Sequence, residues 1–128
     1  MNNKIGDCIF CSIPRERIIL ENELIYAIRD NYPVTPLHSL IIPKRHVVDY
    51  FSLTKDELLS CDALLKEVKN SIKAEDESVK AFNIGINSGK EAGQTIFHCH
   101  IHLIPRRVGD VENPRGGIRH LIPGKGNY

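Results

Sequence analysis

The 128-residue chain has no long apolar run. Its longest, such as Leu40 to Pro43, falls far short of the ~20 residues that a membrane-spanning helix needs. It has no charge excess either. Lys and Arg number 17 and Asp and Glu 16, a net charge of +1. That balance excludes a strongly electrostatic, non-specific polyanion binder. The polar start, Met1 to Asp7, is followed by no apolar stretch, so a cytoplasmic location is expected rather than a secretory one. Tryptophan, repeats and low-complexity segments are absent. What remains, 41% apolar and 26% charged residues, is ordinary for a soluble globular domain. At this length one core is expected, and it can fold without disulfides or metal as its main glue. Six His and four Cys carry most of the remaining information.

The charge is unevenly spread. Residues 1–104 carry 12 basic and 14 acidic side chains. Residues 105–128 carry five basic ones (Arg106, Arg107, Arg115, Arg119 and Lys125) and two acidic. This segment is rich in Gly and Pro and reads as an irregular basic arm. It has no interleaved aromatics, so nucleic-acid binding is not expected of it. It is either solvated or meets an anion or a partner subunit.

One helix is clear, from Thr54 to about Lys73. Thr54 and Glu57 form a capping box, with Leu53 and Leu58 at the staple positions. Leu58, Leu65, Val68 and Ile72 follow helical spacing, with Cys61 and Leu64 beside them. Other segments favour strands. Ile18–Leu20 and Leu24–Arg29 read as a hairpin, His38–Ile42 as a strand closed by Pro43, and Val79–Asn87 and His98–Ile104 as alternating strands. Strands on both sides of a central helix predict an α+β fold with an antiparallel sheet.

The strongest signal is His98-Cys99-His100-Ile101-His102-Leu103. Strand periodicity puts the three imidazoles on one face and Cys99, Ile101 and Leu103 on the other, toward the core. Three core histidines in a row would be a poor way to build a core, so the row lines a polar site. Two chemistries suit it. The imidazoles could share a catalytic zinc that activates water. Alternatively, one could be a nucleophile that its neighbours orient. The preceding loop, Asn87 to Thr95, has two glycines and several donors, and can bring backbone N–H groups to a phosphate. No carboxylate cluster lies nearby to complete a two-metal hydrolase.

From Gly93 to Ile104 the sequence resembles the signature of the histidine-triad (HIT) family, His-x-His-x-His followed by apolar residues and preceded by Gly-Gln-Ser/Thr. Asp7 to Ile13 and Arg29 to His46 resemble two further blocks of its bacterial members, so the match runs over roughly residues 7–107. The segment from Asn113 to Lys125 is similar to diadenosine tetraphosphate hydrolase-like members. The resemblance implies a HIT domain over 1–107, with 108–128 as an arm of the same domain. It further implies a sheet of about five strands with two helices, extended across a homodimer.

The implied activity is that of a nucleotide hydrolase or nucleotidyl transferase. His100 would attack the α-phosphorus of a purine nucleotide conjugate, a dinucleoside polyphosphate or a phosphoramidate. His102 would bind a phosphate oxygen and His38 would support the row. Asn87, Gly93, Gln94 and Thr95 would hold the phosphate and leaving group, with Thr95 standing where many members have Ser. Asp30 would bind the ribose. Ile9, Phe10, Ile13 and Ile28 would sandwich the base, and Asn31 stands where many members have an apolar residue. Lys90 is more naturally a solvated loop lysine. A nucleotide-binding module with little turnover fits the same residues.

Cys8-Ile9-Phe10-Cys11 is a Cys-x-x-Cys pair. In a cytosolic chain it is more naturally a metal or redox site than a structural disulfide, but no βαβ pattern surrounds it. The resemblance completes a ligand set of Cys8, Cys11, His46 and His98 for a structural Zn²⁺. Such a site would also fix His98. Cys61 and Cys99 read as core packing, and His120 as a surface residue.

Overall fold

The computed structural model describes residues 6–128. The reading of a polar leader-free start rests mainly on residues 1–5, which lie outside the described residues. Five strands form one sheet: β1 (Ile18–Glu21), β2 (Ile25–Arg29), β3 (Ser39–Pro43), β4 (Val79–Gly85) and β5 (Ile101–Arg107). Their order is β1-β2-β3-β5-β4, and every neighbouring pair is antiparallel. Helix α1 (Lys55–Glu75) carries the chain from β3 to the far edge, and β5 returns into the gap.

Local chemistry explains these elements. Asn22 makes the hairpin turn, its Oδ1 accepting from Leu24 N (3.1 Å) and Ile25 N (2.9 Å). Its Nδ2 donates to the Ser60 carbonyl, tying the turn to α1. The capping box is present in both directions, Glu57 N to Thr54 Oγ1 and Thr54 N to Glu57 Oε1. Arg45 reaches the same carboxylate with two hydrogen bonds, at 3.0 and 2.7 Å. The β3–α1 connection that carries His46 is thereby pinned to the helix start.

Strand alternation divides the sheet into two faces. Ile25 and Ala27 of β2, Ile41 of β3, and Ile101 and Leu103 of β5 bury against Cys61, Leu64, Val68 and Ile72 of α1. Tyr26, Ile28, Leu40 and Ile42 point the other way and pack with Phe10 of the N-terminal segment. The Tyr26 hydroxyl donates to the Phe10 carbonyl, which anchors that segment across the sheet.

Several boundaries differ from the sequence reading. The His-row strand begins at Ile101 rather than His98, and runs through Pro105 to Arg107. Before Ile101 the backbone bonds elsewhere: Cys99 N donates to the Val47 carbonyl at 2.7 Å. Pro105 is tolerated because β3 pairs with β5 only as far as Leu103. On that vacated side Thr35 Oγ1 donates to the Pro105 carbonyl. Strand β4 stops at Gly85, which releases Asn87 from the sheet. The resemblance implied two helices, but the described residues hold one α-helix; the other helical pieces are short 3-10 turns.

The arm is not a loose tail. The 3-10 turn Gly117–Leu121 folds back so that Gly116 and Gly126 meet, leaving no room for a Cβ on either. His120 packs on Gly126 and donates to the Arg115 carbonyl. Arg115 and Arg119 stack over the Tyr128 ring, 4.8 and 4.6 Å from its centroid. Arg106 and Arg107 are already paired, with Asp110 and Asp76 respectively.

Candidate active site and metal cluster

The face of the sheet opposite α1 carries a cleft of ≈ 330 Å³. Its floor is Ile28, Leu40 and His102, consecutive partners across β2, β3 and β5. Ile9 and Phe10 bound it from the N-terminal segment, and Asn87, Gly93, Thr95 and Ile96 from the loop before the His row. His100, His38, Asp30 and Asn31 also line it.

The hydrogen bonds around the imidazoles assign their tautomers. Val34 N donates to His38 Nδ1 at 3.0 Å, so that nitrogen is an acceptor and Nε2 carries the proton. His38 Nε2 then donates to His102 Nδ1 at 2.9 Å, which leaves the His102 proton on its Nε2. Asp30 Oδ2 lies 3.5 Å from the same His38 nitrogen, and Asp30 Oδ1 accepts from Tyr32 N. His100 Nδ1 donates to the His98 carbonyl at 2.8 Å, so its Nε2 holds the free lone pair. Phe10 meets the His100 ring edge-on, with centroids 5.0 Å apart. Burial lowers the pKa of both supporting imidazoles, that of His102 to about 4, so both are neutral near pH 7. The neighbouring imidazoles push His102 the same way, and Asp30 opposes.

His98 does not belong to the cleft. It is completely buried, and its Nε2 donates to the Pro43 carbonyl at 2.7 Å. Its Nδ1 therefore faces the sulfurs of Cys8 (3.4 Å) and Cys11 (3.5 Å). His46 Nδ1 lies 3.2 Å from Cys11 Sγ. One ligand atom from each of Cys8, Cys11, His46 and His98 lies within 4.8 Å of all the others. Two soft thiol ligands and two imidazoles, one with its tautomer fixed by a carbonyl, suit a closed zinc site. The four cysteines form no disulfide among the described residues. Burial raises the thiol pKa of Cys61 to about 11 and of Cys99 to about 12, as befits core packing.

The three histidines of the row thus do not gather round one point. Asp30, His38 and His102 also lie within 4.8 Å of one another. There, however, the His38 proton already occupies the space between the two imidazoles. Among the described residues His98, His100 and His102, the set considered from sequence for a shared catalytic zinc, form no common ligand cluster.

Two expected substrate contacts lie outside the cleft. Gln94 is buried, because its Oε1 accepts from Gly89 N (2.9 Å) and its Nε2 donates to the Val48 (2.7 Å) and Ile96 (3.1 Å) carbonyls. It locks the loop rather than facing a ligand. Ile13 lines an adjoining hollow of ≈ 290 Å³, with Asp7, Ser12 and Pro14, that shares Ile9 and Arg17 with the cleft. The loop amides also differ from expectation. Gly93 N and Gln94 N bond within the loop, to the Lys90 and Gly89 carbonyls, leaving Thr95 N as the uncommitted one of the three among the described residues. Lys90 is exposed and outside the cleft.

The sequence reading missed Arg17, Tyr32, Val34, Leu40 and Ile96 as lining residues. Leu40 was readable, since it shares strand parity with His38. Ile96 was readable as the link between Thr95 and the His row. Leu37 carries a clue in its backbone: φ is 71°, a left-handed conformation that turns the chain into His38.

The model of the HIT domain family matches residues 13–109. The chain belongs to the HIT domain family. An uncharacterized HIT-like protein of Mycoplasma genitalium is 37% identical over 108 residues, covering 81% of this chain and 76% of the relative. Adenylylsulfatase HINT3 of Arabidopsis thaliana is 35% identical over 109 residues, covering 82% of this chain and 55% of that protein. Among solved structures, a Zn-bound histidine triad family protein from Mycobacterium smegmatis superposes with a TM-score of 0.73. It is 37% identical, covering 81% of this chain and 78% of that one. This chain has the α+β HIT fold, with a five-stranded antiparallel sheet.

Proposed function

We propose that this HIT-family chain is a nucleotide hydrolase or nucleotidyl transferase. On this reading it cleaves at the α-phosphorus of a purine nucleotide conjugate, through a nucleotidyl-histidine intermediate on His100. One observation carries the reading: the His98 carbonyl accepts a hydrogen bond from His100 Nδ1, which leaves a lone pair on Nε2 in a cleft that His38 and His102 also line. The similarity to a protein named an adenylylsulfatase supports a nucleotide substrate.

The chain's residues divide the work. Ile9, Phe10 and Ile28 offer apolar surface to a base, and Asp30 offers a carboxylate to ribose hydroxyls. His100 Nε2 attacks phosphorus, and the bond to the leaving group breaks with its electron pair, which water protonates. The Nε2 proton of His102, the Thr95 amide and hydroxyl, and the Asn87 amide stabilise the phosphoryl oxygens. Such preorganised donors supply most of the acceleration in this chemistry. Water then attacks phosphorus and gives a proton to the hydroxide left by the first step, the P–N bond breaks, and the lone pair returns to Nε2 with release of a nucleoside monophosphate.

Cys8, Cys11, His46 and His98 would hold a Zn²⁺ whose role is structural, tying the N-terminal segment to the His row. Residues 108–128 serve as an arm of the same domain. The chain acts in the reducing cytoplasm, where those thiols persist, and no described helix is long and apolar enough to cross a membrane. It works as a homodimer joined along β4, an edge strand on which Ile84 is 52% exposed; sedimentation at the monomer mass would contradict that.

Incubation with adenosine and guanosine 5′-phosphoramidates and with diadenosine tetraphosphate tests the activity. The expected result is release of nucleoside monophosphate, slowed at least 10³-fold in His100→Ala. A variant as fast as the wild type overturns the mechanism. Tight nucleotide binding with no turnover of any conjugate would favour a binding module.

A further inference from the structure

Arg17 has no place in the chemistry above, yet it lines the cleft. It immediately precedes β1, and Ile18 pairs with Ile28, Ile28 with Leu40, and Leu40 with His102. Its hydrogen bond to the Arg29 carbonyl puts the guanidinium over β2, two strand spacings, roughly 10 Å, from the strand that carries the phosphate-binding imidazole. That separation is about the span of a nucleotide from phosphorus to the far edge of its base. Beside Arg17, Ile9 and Ile28 offer the flat apolar surface that a base would stack on.

Arg17 and Asp30 are the two fully charged residues lining the cleft. Asp30 is engaged by the Tyr32 amide and by His38. Arg17 forms no ion pair among the described residues. One of its N–H groups donates to the Arg29 carbonyl at 3.2 Å, which steadies the guanidinium against β2. The rest of its five donors remain available.

A fork of donors at the base edge discriminates between purines. A 6-oxopurine presents two acceptors side by side, O6 and N7. Adenine presents N7 beside an amino group, which sets donor against donor. We propose that Arg17 reads this edge and makes the cleft selective for guanine over adenine nucleotides. The inference rests on the cleft being a nucleotide site, and it adds which nucleotide.

The test is calorimetric titration of wild type, Arg17→Met and Arg17→Lys with GMP and AMP, which needs no turnover. The wild type is expected to bind GMP about tenfold or more tighter than AMP. In both variants the ratio falls to near one, because Lys keeps the charge but loses the planar fork. In the steady state the same variants should raise KM for a guanosine conjugate while leaving its kcat within a few-fold. Equal wild-type affinities, or a ratio unchanged in both variants, overturn the proposal while sparing the nucleotide-site reading. If Arg17→Met weakens GMP and AMP alike and Arg17→Lys restores both, the group acts as a plain charge and the base reading falls. If neither nucleotide binds, both readings fall together.

Discussion

At the scale of single residues, the chemistry of the cleft turns on where protons sit. A backbone amide at Val34 sets His38, His38 sets His102, and a backbone carbonyl at His98 sets His100. Each partner is a fixed group, so the relay is ready before substrate arrives. The buried, neutral state of His102 has a cost at acid pH. Its folded-state pKa of about 4 lies below the ordinary value, so the unfolded chain takes up this proton first as pH falls. Its contribution to stability is therefore complete above about pH 6.5, erodes between about 6.5 and 4, and does not change further below. Urea unfolding of wild type and His102→Gln at pH 7.5 and 5.0 checks this. The wild type should lose on the order of 1 kcal/mol more than the variant over that interval, after allowance for solvent screening. An equal loss in both would show that His102 is not the group concerned.

At the scale of elements, the loop from Asn87 to Thr95 is held from inside by a buried amide. Gln94→Ala would leave the Gly89 amide and the Val48 and Ile96 carbonyls without their partner. A stability loss of about 2 kcal/mol is expected, since unsatisfied buried groups cost more than a hydrogen bond gains. A variant as stable as wild type that only weakens substrate binding would return Gln94 to the substrate-contact role that the resemblance implied. The same loop shows what the sequence could and could not reveal. Thr54 and Glu57 announced α1 because a cap is a local code, and both of its bonds are present. The parity of Cys99, Ile101 and Leu103 placed them inside, and they are buried. The start of β5 was not legible, because it depends on Val47, distant in sequence, capturing the Cys99 amide. Nor was the locked Gln94 side chain, for Gln reads equally well as a surface donor. Arg17 escaped because only the fold brings the residue before β1 to the cleft.

At the scale of the whole molecule, one residue joins two sites. The ring of His98 faces two cysteines and His46, while its carbonyl holds the His100 ring. Metal binding should therefore support both stability and the orientation of the nucleophile. Metal analysis of the purified protein should find one zinc per chain, and none in Cys8→Ala. That variant, like chelated wild type, should melt several degrees lower. Full zinc occupancy in Cys8→Ala would place the metal elsewhere. The overall charge also takes on a new meaning. Arg106 and Arg107 are spent on Asp110 and Asp76, and Arg115 and Arg119 on Tyr128, so the apparent excess of the arm is largely internal bracing.

The central claim is that His100 becomes covalently nucleotidylated. Mass spectrometry of enzyme mixed with a nucleoside phosphoramidate and quenched in the steady state tests it directly. Peptide mapping should find a nucleoside monophosphate attached to His100 and no adduct in His100→Ala. An adduct on another residue, or turnover in H₂¹⁸O with no covalent species at any time, would contradict the account.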